Sequence, residues 1–306
     1  MVVPRLANIT GNTSNSSGPC ISIYTLYPDV TDYWLVQICL GLLFCLLQVC
    51  GILGNAAVMY CLLLTKVHFN VQHIFIFNLT VADILLVSVA LPTTAIQLFI
   101  RKWVFGSLLC HLVPLIQSMA VFVTSFTLVS IAYERFVVTK YPIKGPSGRK
   151  RVVLIAGGTW FLALIAALPY TAFVRLQPDA VVCGLFCEEK WPDNTVRLGY
   201  GLVVMIVQFV APLVISWICY HYVYRNVASR IRRRVDKEDM SQRTKNRLLR
   251  NQQHINNMIT AMLFSFVIAW LPINLINLLR DFSQVLNEII PRNVSLWFSE
   301  SPTPVL

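Results

Sequence analysis

Residues 110–142 read CHLVPLIQSMAVFVTSFTLVSIAYERFVVTKYP, an apolar segment closed by an acid and an arginine side by side, Glu134 and Arg135. Nothing between Leu112 and Tyr133 is charged. Such a run is long enough to cross a hydrocarbon core of about 30 Å, which takes about 20 helical residues. The charged pair at its end reads in two ways. It is an anchor at the lipid–water boundary, with Arg135 reaching toward head groups. Alternatively it is a switch, in which Glu134 holds Arg135 until a partner inserted from the cytoplasm takes it over. Spacing alone favours the anchor, because charged helix ends are common.

Working outward, the same kind of run recurs. The chain is 56% hydrophobic and only 13% charged, against about 25% charged in soluble domains. Six runs qualify as spans: 34–64, 71–100, 112–133, 152–173, 198–224 and 255–279. This predicts an all-α membrane protein, a bundle of six recognisable transmembrane helices. Residues 1–32 form a polar N-terminal segment, 33–280 the bundle, and 281–306 a tail with no run of spanning length. The N-terminus lacks the apolar core and cleavage site of a secretory signal, so the first span is expected to act as the insertion signal.

Basic residues set the orientation. The loops after the first, third and fifth spans, with their helix ends, hold 17 of the 25 Lys and Arg. Those loops are therefore expected in the cytoplasm and the N-terminus outside. The formal charge of +11 is then a topology signal and a contact for anionic inner-leaflet lipid, and a nucleic-acid partner is not expected. Three glycosylation sequons, at Asn8, Asn12 and Asn15, lie on the predicted outer side, as does one at Asn293.

Polar residues inside the spans are the functional candidates. Gly51 and Gly54 permit close helix approach, and Asn55 can bond across helices. Asp83 is the one acid deep inside a span, and a carboxylate there is a functional candidate by default. Its plainer reading is an acid hydrogen-bonded by Asn55 and Asn78; its functional one is a cation or proton site. Five cysteines lie inside spans and read as small apolar residues. Cys20, Cys110, Cys183 and Cys187 fall on the oxidising side, and four cysteines allow three pairings. Pairing Cys110 with Cys187 would staple the loop after the fourth span to the top of the third, and Cys20 with Cys183 would tie down the N-terminal segment. Pro212 and Pro272 bend or hinge their helices. The five histidines read as interfacial, no metal spacing is convincing, and no nucleophile–base pair or phosphate loop points to an enzyme.

Several of these residues in order resemble a known family. Gly54-Asn55, the run Asn78-Leu79-Thr80-Val81-Ala82-Asp83, Cys110, Glu134-Arg135-Phe136, Trp160, Pro212 with Tyr220, and Trp270-Leu271-Pro272 look like the motifs of rhodopsin-like G-protein-coupled receptors. The resemblance runs from about residue 34 to 280. It implies a rhodopsin-like bundle, a plasma-membrane location and a heterotrimeric G protein as partner, with a receptor dimer and a sodium ion near Asp83 and Thr124 allowed. Glu134, Arg135, Pro212, Tyr220, Trp270 and Pro272 would form the activation switch, and Cys110–Cys187 the family disulfide. Gln117, Gln208, Asn277 and Asp281 resemble the pocket residues of neuropeptide Y and neuropeptide F receptors, and 187–192, with Glu189, their second extracellular loop. That implies a peptide ligand: Asp281 would pair with a basic residue near an amidated C-terminus, and Gln117 and Gln208 would hydrogen-bond the terminal residues. The family's seventh span and NPxxY motif are expected to be absent, as in a truncated or spliced product or an incomplete gene model, with signalling impaired. Two further classes remain: a non-signalling chain that retains the full-length receptor, and a six-span transporter or channel.

Overall fold

The structure, a computed structural model, describes residues 20–26, 28–64, 71–141, 148–179, 181–237 and 242–289. Among the described residues, six helices are long and apolar enough to span: Trp34–Leu64, Val71–Ile100, Gly106–Lys140, Arg149–Phe173, Asn194–Asn226 and Thr260–Val285. Each overlaps one of the six apolar runs. Several are longer than predicted, because backbone hydrogen bonding continues into polar ends where hydropathy stops. The sixth span belongs to a helix that runs Gln242–Ile289, so residues 281–289, read from sequence as the start of a tail, continue it. The sequons at Asn8, Asn12, Asn15 and Asn293, and residues 290–306 with the question of a seventh span, lie outside the described residues.

The third span is the axis of the bundle: 44% of its most apolar window is buried, against none in the first. Around it, Ala82, Phe122, Val123 and Ala163 pack at mid-depth, Phe75, Ile131 and Val152 below them, and Trp103, Val113 and Val174 at the end carrying Cys110. Buried polar groups are matched between helices. Asn78 donates to Thr127 at 2.8 Å and to Thr159 at 3.3 Å, and accepts from Trp160 Nε1 at 2.7 Å. One amide thus ties the second, third and fourth spans together. Of the two glycines in the first span, Gly51 makes the close approach: a Cβ there would meet Val87 at 3.0 Å, whereas one at Gly54 would meet nothing.

Two spans carry a widened, π-type turn, at Leu86–Ala90 and at Ile206–Val210. Each precedes a proline, Pro92 or Pro212, which cannot donate to the carbonyl four residues back and crowds it. In the fifth span that carbonyl belongs to Gln208. Ser125 of the third span donates to it at 2.7 Å, which supplies the partner that Pro212 removes.

Candidate functional site

A short hairpin covers one end of the bundle. Strands β1 (Val174–Pro178) and β2 (Leu185–Glu189) pair antiparallel, with Leu176 opposite Cys187. Cys187 is bonded to Cys110, so β2 is stapled to the head of the third span. The hairpin tip is bonded in turn to the N-terminal segment through Cys20–Cys183, and the two bonds together are one of the three possible connectivities. Beside that bond, Ile21 N donates to Val181 O and Cys183 N to Ile21 O, laying the segment along the tip. The Val181 and Val182 amides both donate to Asp179 and hold its carboxyl below the usual carboxylate range. Burial, and then the charge of Asp179, pushes Glu188 up.

Beneath the hairpin lies a cavity of about 380 Å³. Gln117, Gln208, Asn277, Asp281 and Glu189, predicted from four separate elements, all line it. Trp270 and Val121 lie among the lining residues, and Trp270 packs against Phe266. Its lining is mainly amide, hydroxyl and aromatic, a composition suited to orienting a ligand by a few placed polar groups. Trp191 closes one side, stacked between Phe173 and Tyr200 with ring centroids 4.3 and 5.1 Å away.

Charge gathers at the mouth. Glu189 Oε1 is bonded by Arg197 and lies 3.2 Å from Arg280 Nη2, while Trp191 Nε1 donates to its other oxygen at 2.9 Å. Asp281 Oδ1 lies 3.2 Å from Arg197 Nε and 3.3 Å from Arg280 Nη2. Arg197 also donates to Gln284 at 3.1 Å. Asp281 is 7% exposed, within a four-membered cluster that includes Arg280 and joins the hairpin to the fifth and sixth spans. Arg197, unremarked in the sequence, is its central member; among the basic residues only its place on the fifth span beside the hairpin could have pointed to it.

The opposite end is arranged differently. Glu134, next to Arg135 in the helix, is buried, at 8% exposure. Arg135 Nε and Nη2 and the Tyr220 hydroxyl are buried without hydrogen-bond partners, as is Ser216. Pro272 sits inside its helix, where the side chain of Asn274 donates to Trp270 O at 2.8 Å.

Asp83 departs from its plainer reading. Asn55 turns its amide to Gly51 O in its own helix, and Asn78 is engaged by Thr127, Thr159 and Trp160. Asp83 makes no hydrogen bond among the described residues, and Thr124 is half-buried on the third span. No group of three or more His, Cys, Asp or Glu suited to a metal occurs among them.

The model of seven-transmembrane receptors of the rhodopsin family matches residues 54–300, continuing past the last described residue. The neuropeptide receptor 3 of Caenorhabditis elegans is 33% identical over 279 residues, 89% of this chain and 72% of its own length. The neuropeptide F receptor of Drosophila melanogaster is 29% identical over 250 residues, 78% and 51% of the two chains. The neuropeptide Y receptor type 2 of Gallus gallus is 30% identical over 269 residues, 85% and 67%. The chain thus spans from about half to just under three quarters of the length of these relatives. It belongs to the rhodopsin family of seven-transmembrane receptors. Its place there is with the receptors of neuropeptides, and it is a multi-pass membrane protein and not an enzyme.

Proposed function

We propose that this chain binds a peptide with a basic residue next to an amidated C-terminus and passes that binding to a heterotrimeric G protein at the plasma membrane, with the N-terminus outside. The observation that carries the reading is the gathering of Gln117, Gln208, Asn277, Glu189 and Asp281 in one cavity. In it, an amide-terminated peptide finds neutral hydrogen-bonding groups at depth and carboxylates at the mouth. A carboxylate removed from water suits the fork of an arginine. Binding is transmitted as a population shift. The peptide favours the arrangement in which the sixth helix swings outward about Pro272 at the Arg135 end, by its difference in affinity for the two arrangements. Arg135, with two buried nitrogens unpartnered, then meets the G protein.

The test is binding of an Arg-amide peptide to the purified chain in nanodiscs, together with nucleotide exchange on an added G protein. Saturable binding that raises exchange supports the reading. Binding indifferent to amidation, or to replacement of the arginine by citrulline, removes it.

A further inference from the structure

The charge cluster at the mouth is neutral, two carboxylates against two guanidiniums, but its members are not equivalent. The Arg280 side chain is 26% exposed, whereas Arg197, Glu189 and Asp281 stand at 13%, 11% and 8%. The group that meets incoming solvent at the cluster is therefore a cation, with both acids beneath it.

Arg280 is also poorly fitted to Asp281. Its Nε and its Nη2 both address the same oxygen, Oδ1, each at 3.3 Å. The two residues are consecutive on one helix and cannot face each other squarely. Oδ2 takes no hydrogen bond among the described residues. It lies instead against Gly201, where a Cβ would come within 3.1 Å of it, and Gly201 lines the cavity. The missing side chain leaves that oxygen reachable from the cavity. A guanidinium arriving from there can take Oδ1 and Oδ2 together, the paired geometry that is stronger than a single shared acceptor.

We propose that Arg280 is the internal occupant of a guanidinium subsite formed by Glu189, Asp281 and Arg197, and that a ligand arginine enters by displacing it. The charge count supports exchange over simple addition. Without Arg280, two acids face one arginine, and a buried acid lacking its partner is strongly disfavoured. One incoming guanidinium restores neutrality. Arg280 then determines specificity: it weakens every cationic ligand by the cost of its own removal and leaves neutral ligands unaffected. The natural ligand's identity rests on the peptide reading above; the subsite itself does not.

The experiment uses the whole chain in nanodiscs and two small probes, arginine amide and its neutral isostere citrulline amide, with binding read from thermal stabilisation. Arg280→Ala is expected to bind arginine amide about tenfold more tightly than wild type and citrulline amide no differently. Arg280→Gln repeats the test should the alanine variant fail to assemble. Gly201→Ala is expected to weaken arginine amide several-fold in either background by covering Oδ2. Equal or weaker binding of arginine amide to both Arg280 variants overturns the proposal, and so does an equal gain for the two probes. If the probes behave as expected while an Arg-amide peptide binds neither wild type nor variant, the subsite stands and only the peptide reading falls.

Discussion

The two ends of this bundle are held by different means. At the hairpin end, two disulfides, a two-stranded sheet and a cluster of four charges join the N-terminal segment, the hairpin and the third, fifth and sixth spans. At the other end, Arg135, Ser216 and Tyr220 keep buried polar atoms without partners. Buried polar atoms left unpaired cost about 1–3 kcal/mol each, so that end gains from any rearrangement or partner that pairs them.

Breaking the rigid end should have the largest effect. Cys110→Ser removes the staple under the hairpin and is expected to cost about 2–5 kcal/mol, read as a lower melting temperature and lost surface expression. An unchanged melting temperature would mean the hairpin is held without covalent help. Next, Arg135→Ala is expected to lower nucleotide exchange about a hundredfold, roughly 2.8 kcal/mol, with peptide affinity unchanged. Wild-type exchange in that variant takes Arg135 out of the coupling step. Asp281→Ala should weaken an Arg-amide peptide about tenfold, roughly 1.4 kcal/mol; equal affinity in a competition assay would place the peptide elsewhere. Ser125→Ala strips the Gln208 carbonyl of the donor that replaces Pro212 and should cost about 1 kcal/mol. An unshifted melting curve would leave that bond without energetic weight.

The smallest effect is one of pH. Asp179 has its folded-state value held down by two backbone amides, so its contribution is present above the ordinary carboxylate range and is lost as pH falls through the lowered value. Glu188 is pushed up, so its contribution is present in acid and is lost as pH rises through the raised value. On acidification the hairpin should therefore first tighten, as Glu188 takes a proton, and then loosen, as Asp179 does. Hydrogen-exchange protection of the Val181 and Val182 amides reports this. A single monotonic change would sink the two-step account.

Much of this was legible in the residues. Long apolar runs marked every span, with Asp83 the one acid deep inside any of them, since only an apolar helix satisfies both lipid and backbone. The cavity residues followed from resemblance, and their convergence needed the helices to be rotated correctly, which spacing does not encode. Two features escaped. Arg197 looked like one outer basic residue among several, because ion pairing across three elements leaves no local pattern. Ser125 is one of several hydroxyl residues in an uncharged run, and its role depends on a proline 87 positions away in another helix.

Gln208 takes part in both halves of the molecule's task. Its side chain faces the cavity, while its carbonyl is hooked to the third helix by Ser125, beside a stretch of widened turn that twists more easily than regular helix. Whatever pulls on that amide therefore pulls on a hinge pin. The fifth helix can pivot there like a rocker, its two arms moving in opposite directions about a single bond.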